Sequence, residues 1–145
     1  MYWKTEAINK LKMYEAKKIA LHNIPCQIKA LESEFTAVKS SARDSAPVSG
    51  GTNQREDKLL SNIIERDELA QNYRIVSAQI AAMEKGLSIL TDEELHILRR
   101  FYVDRHMGHI EKLCEELNLE QSQIYRKKDT ALRKFVTAMY GVQDI

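Results

Sequence analysis

Apolar residues recur along this chain at helical rather than strand spacing. Leu69, Tyr73, Val76, Ile80, Met83, Leu87 and Leu90 follow one another at alternating steps of four and three, the seam of a coiled coil rather than the broader stripe of a surface helix. An earlier stretch, Leu11, Tyr14, Leu21, Ile24, Ile28, Leu31, Phe35 and Val38, keeps most of this spacing. Lys18 intrudes on it, and Pro25 is expected to kink the helix where it removes a backbone donor. Between the two lies a run rich in loop formers, Arg43-Asp44-Ser45-Ala46-Pro47-Val48-Ser49-Gly50-Gly51-Thr52-Asn53, which reads as a flexible connector. Neither helix buries its seam alone. The pattern therefore predicts an antiparallel, coiled-coil-like hairpin over residues 1–90, with arms on the order of 50 Å at 1.5 Å per residue. Apolar surface left over on so long a hairpin predicts self-association, a dimer first. Whether the hairpin closes within one chain or is swapped between two stays open.

The helical pattern restarts at Thr91-Asp92-Glu93-Glu94, a capping box in which the Thr91 hydroxyl accepts from the Glu94 N–H and the Glu94 carboxylate from the Thr91 N–H. Leu95, Leu98, Phe101 and Tyr102 give the new helix its apolar face, and the stretch from Asp104 to His109, with Gly108, ends it. Ile110, Leu113, Cys114 and Leu117 mark a short second helix, stopped at Asn118, the non-glycine residue type that best tolerates left-handed backbone. A third helix is predicted from about Glu120 to Met139. At 100° per residue, Ala131 and Phe135 share a face with Ile124, whereas Ser122, Arg126 and Arg133 lie opposite. The fold class is thus all-α, a hairpin over 1–90 followed by a three-helix domain over 91–145.

A hydrophobic content of 43% in 145 residues fills one modest core. No apolar run is long enough for a membrane span, and the N-terminus lacks the apolar block of a signal peptide, so the expected location is the cytoplasm. Cys26 and Cys114, far apart and each on an apolar stripe, are expected to be reduced and buried. The net charge of +1 hides a segregation: residues 91–120 hold four basic against eight acidic side chains, whereas 121–140 hold five basic against Asp129 alone. A basic helix set on an acidic support is a plausible footprint for nucleic acid.

A short helix, a three-residue turn and a longer helix with a polar, basic outer face define a helix-turn-helix, whose second helix enters the major groove with its N-terminal part. On this reading Gln121, Ser122, Tyr125 and Arg126 are the candidates for reading base edges, and Lys128, Arg133 and Lys134 those for phosphate. The run Ile110-Glu111-Lys112-Leu113-Cys114-Glu115-Glu116-Leu117-Asn118-Leu119, followed by Ile124-Tyr125-Arg126 and Ala131-Leu132-Arg133-Lys134-Phe135, resembles region four of bacterial sigma factors. That module carries a helix-turn-helix that binds the −35 promoter element. The layout as a whole resembles the small phage and prophage late-gene regulators of the RinA and ArpU type. These resemblances imply a transcriptional regulator acting on double-stranded DNA, with RNA polymerase as a further candidate partner. Glu120 stands where the sigma family places Ser or Thr as helix cap, and Gln121, Ser122 and Tyr125 depart from its charged residues, so its base preferences do not carry over. Lys127 stands where that family often has an apolar residue.

Two other functions fit the pattern. Phage terminase small subunits also join a helix-turn-helix to oligomerising helices, and a module that binds RNA polymerase or a sigma factor would need no DNA. His106, His109 and Cys114 match no standard zinc spacing, and no phosphate loop, nucleophile elbow or facing carboxylate pair occurs. No metal, cofactor or enzymatic activity is expected.

Overall fold

The structure, a computed structural model, describes residues 2–44 and 51–143. It is all-α: α1 (Tyr2–Lys12), α2 (Tyr14–Asp44), α3 (Gly51–Leu87), α4 (Asp92–Leu98) continued by a π-helical turn (Arg99–Val103), α5 (His109–Leu117) and α6 (Gln121–Tyr140). No helix among the described residues is long and apolar enough to cross a membrane. The chain divides into two compact units, residues 18–78 and residues 1–17 with 79–145.

The 18–78 unit is built from α2 and α3 running antiparallel. Ile24 is buried, and Leu21, Ile28, Leu31, Phe35 and Val38 are half-buried along one side of α2, as are Leu59, Leu69 and Val76 along α3. One seam position that the apolar pattern does not reveal is Asn62, which is buried and donates from Nδ2 to the Leu31 carbonyl at 2.8 Å. Its Oδ1 accepts from Arg66 Nε at 2.8 Å, and the Arg66 guanidinium lies 4.9 Å from the Phe35 ring centroid. A buried Asn bonded at both its Nδ2 and its Oδ1 in an apolar seam favours one register and penalises the others, because a slip leaves its amide unpaired.

Several expectations need correction here. Helix α2 extends to Asp44 and α3 begins at Gly51, so residues 43, 44 and 51–53 are helical, and the rest of the expected connector lies outside the described residues. Helix α2 also passes unbroken through Pro25, and the interruption falls at Met13. Cys26 is exposed rather than buried, because two residues at 100° each set it opposite Ile24. Tyr73, placed on the seam by its spacing, is exposed.

The other unit extends beyond the three-helix domain read from 91 onward. Helix α1 packs on α6, and Ala7 and Leu11 are fully buried. Trp3 stacks on Tyr140 at 4.8 Å, while Lys10 Nζ lies 4.8 Å from the same ring. The end of α3 joins them, where Gly86 lets its backbone approach Phe135 and Met139 so closely that a Cβ would stand 3.2 and 3.0 Å from their side chains. Burial raises the Tyr14 phenol, and its hydrogen bond to Glu84 Oε1 at 3.0 Å adds to the effect.

The second apolar cluster of this unit supports the turn between α5 and α6. Ile97, Phe101, Leu113 and Ile124 form it, with Tyr102, Ile110, Cys114, Leu117 and Leu119 against its edge. The predicted capping box opens α4: Glu94 N donates to Thr91 Oγ1 at 3.2 Å and Thr91 N to Glu94 Oε1 at 3.0 Å. The π turn that follows, closed by Asp104 N donating to the Arg99 carbonyl at 2.7 Å, is not visible in the apolar spacing, because a five-residue loop of hydrogen bonds shifts the face by only one residue.

Candidate nucleic-acid interface

Helix α5 is nine residues long and ends at Asn118, whose backbone is left-handed at φ 54° and ψ 45°. This is the only non-glycine residue with positive φ among those described. Its short polar side chain tolerates that geometry, and the flanking Leu117 and Leu119 hold the corner against the core. Leu119 N donates to the Cys114 carbonyl at 3.2 Å, which satisfies a carbonyl at the end of α5. Helix α6 then starts at Gln121, after Glu120, whose N–H donates to Gln123 Oε1 at 3.0 Å. Gln123 thus satisfies a backbone donor at the helix start, as the second half of a capping box does.

The two faces of α6 separate as the 100° periodicity predicts. Ile124, Ala131 and Phe135 are fully buried, together with Leu132 and Val136, while Ser122, Arg126 and Arg133 are exposed. Gln121, Ser122, Tyr125 and Arg126, the candidate base readers, come together as an exposed group in the first turns of the helix. Tyr125 is held in place by more than its own helix: the Phe101 ring meets it edge-on at 5.8 Å, and Lys128 Nζ lies 5.7 Å from its ring centroid.

The candidate phosphate residues do not form one group. The Lys128 side chain is only 16% exposed; it lies across Phe101 and Tyr125 and pairs with Asp129 at 2.8 Å. Burial disfavours its charge, but the hydrogen bond it donates to Asp129 and the neighbouring phenols outweigh it, leaving the ammonium above its ordinary value. Lys134 lies 2.9 Å from Glu94 Oε2 and 3.0 Å from Oε1. Arg133 is exposed and, among the described residues, makes no ion pair; the same holds for Arg126. The basic surface of α6 is therefore narrower than its composition indicates.

Sequence reasoning missed the destination of these charges. Lys127 is ion-paired with Glu93, which is how a charged residue is accommodated on a half-buried side of α6. Lys127 and Lys134, seven apart on one side of the helix, meet the adjacent acids Glu93 and Glu94 in the first turn of α4. That i, i+7 spacing opposite a doublet of acids was a readable signal. Lys4 on α1 was also missed; it lines a small cavity of about 90 Å³ with Asp129, Leu132, Arg133 and Val136. No group of three or more metal-ligating side chains converges among the described residues. No family model, curated protein or solved structure matches the chain.

Proposed function

We propose that this chain is a sequence-specific, double-stranded DNA-binding regulator of transcription that reads the major groove with the N-terminal part of α6. The observation that carries this reading is the division of α6. Its inner face is locked by Ile124, Ala131 and Phe135 at 0% exposure, while Gln121, Ser122, Tyr125 and Arg126 project beyond a tight, left-handed turn. A helix so held can enter a groove as a rigid body, and a base-reading side chain is useful only if its backbone does not move. Gln121 and Arg126 have the donor and acceptor sets for two-pronged contacts to adenine and guanine edges. Arg133 serves as a phosphate contact, and Lys128 serves chiefly to hold Tyr125. The resemblance of residues 110–135 to sigma region four supports a promoter-proximal site, and the wider layout supports a phage or prophage late-gene activator that self-associates.

The test is fluorescence anisotropy on duplex DNA across a salt series. The expected result is affinity that falls linearly on a log–log plot as salt rises, through release of counterions. Arg133→Ala should weaken binding equally on all sequences and reduce the salt slope by about 1. Binding indifferent to salt would refute the reading. It would favour a protein-interaction module for RNA polymerase or a sigma factor, which the internal pairing of Lys127, Lys128 and Lys134 also fits.

A further inference from the structure

Helix α3 is apolar on two sides. The side that carries Leu59, Asn62, Leu69 and Val76 is buried or half-buried. About 160–220° around the helix from Asn62, at 100° per residue, lie Leu60, Ile64, Gln71, Ile75 and Ala78. All five are exposed, with Leu60 at 57%, Ile64 at 49% and Ile75 at 53%. Their steps of four, seven, four and three continue a second heptad-like stripe, and a helix that is apolar on opposite sides is stable in water only when both are covered.

The charges beside this stripe identify what covers it. Asp67 and Glu68 precede Gln71, and Arg74 follows it. All three are exposed, and none is in an ion pair among the described residues. A second α3 laid antiparallel on the first, with the two-fold axis at Gln71, sets Asp67 of each copy against Arg74 of the other, since both lie on the same flank of the stripe. The same register places the bulky Ile64 against the small Ala78, so the stripe is complementary to itself in size as well as in charge. Parallel pairing in register would instead oppose Asp67 to Asp67 and Arg74 to Arg74.

We infer that this outer face of α3 joins two copies of the chain in an antiparallel homodimer centred on Gln71. The inference deepens the self-association named above, and its test is run without DNA, so that its failure and the failure of DNA recognition are separable. Sedimentation of the full chain at tens of micromolar should give twice the 16.7 kDa chain mass. Arg74→Glu, which places like charges across both halves of the interface, should raise the dimer dissociation constant roughly tenfold. The double variant Asp67→Arg with Arg74→Glu should recover most of that loss, which a merely misfolded chain would not do. In a Cys26→Ser background, Gln71→Cys should form a disulfide-linked dimer under mild oxidation, because the axis brings the two residues together. Ile64→Cys should not, since its two copies lie about 21 Å apart along the helices. A monomer at these concentrations would overturn the proposal, as would a dimer indifferent to Arg74→Glu or one cross-linked as readily through Ile64→Cys.

Discussion

Phe135→Ala is expected to destabilise the chain by about 3–5 kcal/mol, the range for truncating a fully buried aromatic side chain. The ring has 0% exposure. It also sits where rearrangement is least able to compensate: its Cε1 lies 3.2 Å from the point where Gly86 would carry a Cβ, and Met139 is already pressed against the same backbone. Met139 can slide toward the void but cannot fill it without leaving Gly86. Thermal or urea denaturation followed by circular dichroism should show a melting temperature lowered by about 15 °C or more, a large share of the stability of a domain this size. A loss below about 1 kcal/mol would show that the core is not closed around Phe135.

The second large effect concerns Glu94, a carboxylate held by two donor groups. It accepts from Thr91 N at 3.0 Å to cap α4, and Lys134 Nζ lies within 3.0 Å of both of its oxygens. Burial alone would raise this carboxyl, but the hydrogen bonds from Lys134 and Thr91 outweigh burial and hold it below its ordinary value. Glu94→Ala removes the reciprocal half of the capping box and releases Lys134, with an expected cost of about 2 kcal/mol near neutral pH. Because the folded-state value is depressed, the contribution is present above the unfolded value of about 4.3 and is lost as pH falls through the folded one. Denaturation of wild type and variant across pH should therefore show a gap that is widest near neutrality and closes in acid. A gap that persists unchanged to the most acidic conditions would contradict the assignment.

The parts of this fold visible in the sequence are those governed by neighbours a few residues apart. The Thr91–Glu94 box, the turn at Asn118 and the opposition of Ile124 to Arg126 on α6 all follow from local spacing, and each has the geometry expected of it. What was missed is set by distant partners. Helix α1 presents only Ala7 and Leu11 as buried residues, too little apolar surface to announce that it packs on α6. Lys134 reads as an unpaired cation until Glu94, 40 positions away, is brought beside it. Lys128 reads as a free cation until Phe101, Tyr125 and Asp129 are seen around its ammonium. Cys26 was misplaced for a simpler reason: the apolar stripe of α2 passes through Ile24 and Ile28, and a residue midway between them faces away.

The candidate site divides along the same line. The candidate base readers lie within six residues of one helix, so their common exposed placement could be read from periodicity. The candidate phosphate contacts depend on which cations remain unpaired after folding, and only the tertiary structure reveals that, among the described residues, Arg126 and Arg133 do while Lys127, Lys128 and Lys134 do not. The acids of α4 thus hold α6 in place at the cost of part of its positive charge. On the proposed reading, this arrangement shifts the burden of DNA recognition from bulk electrostatics toward the few side chains at the start of the helix.

Selection of duplexes from a random pool, with wild type and Arg126→Ala run in parallel, tests the central claim most directly. The account predicts a defined consensus for the wild type and loss of preference at one guanine-containing position in the variant, worth about 1–3 kcal/mol there, with affinity for the remaining positions retained. A wild-type pool that stays random, or a consensus that Arg126→Ala leaves unchanged at every position, would contradict it.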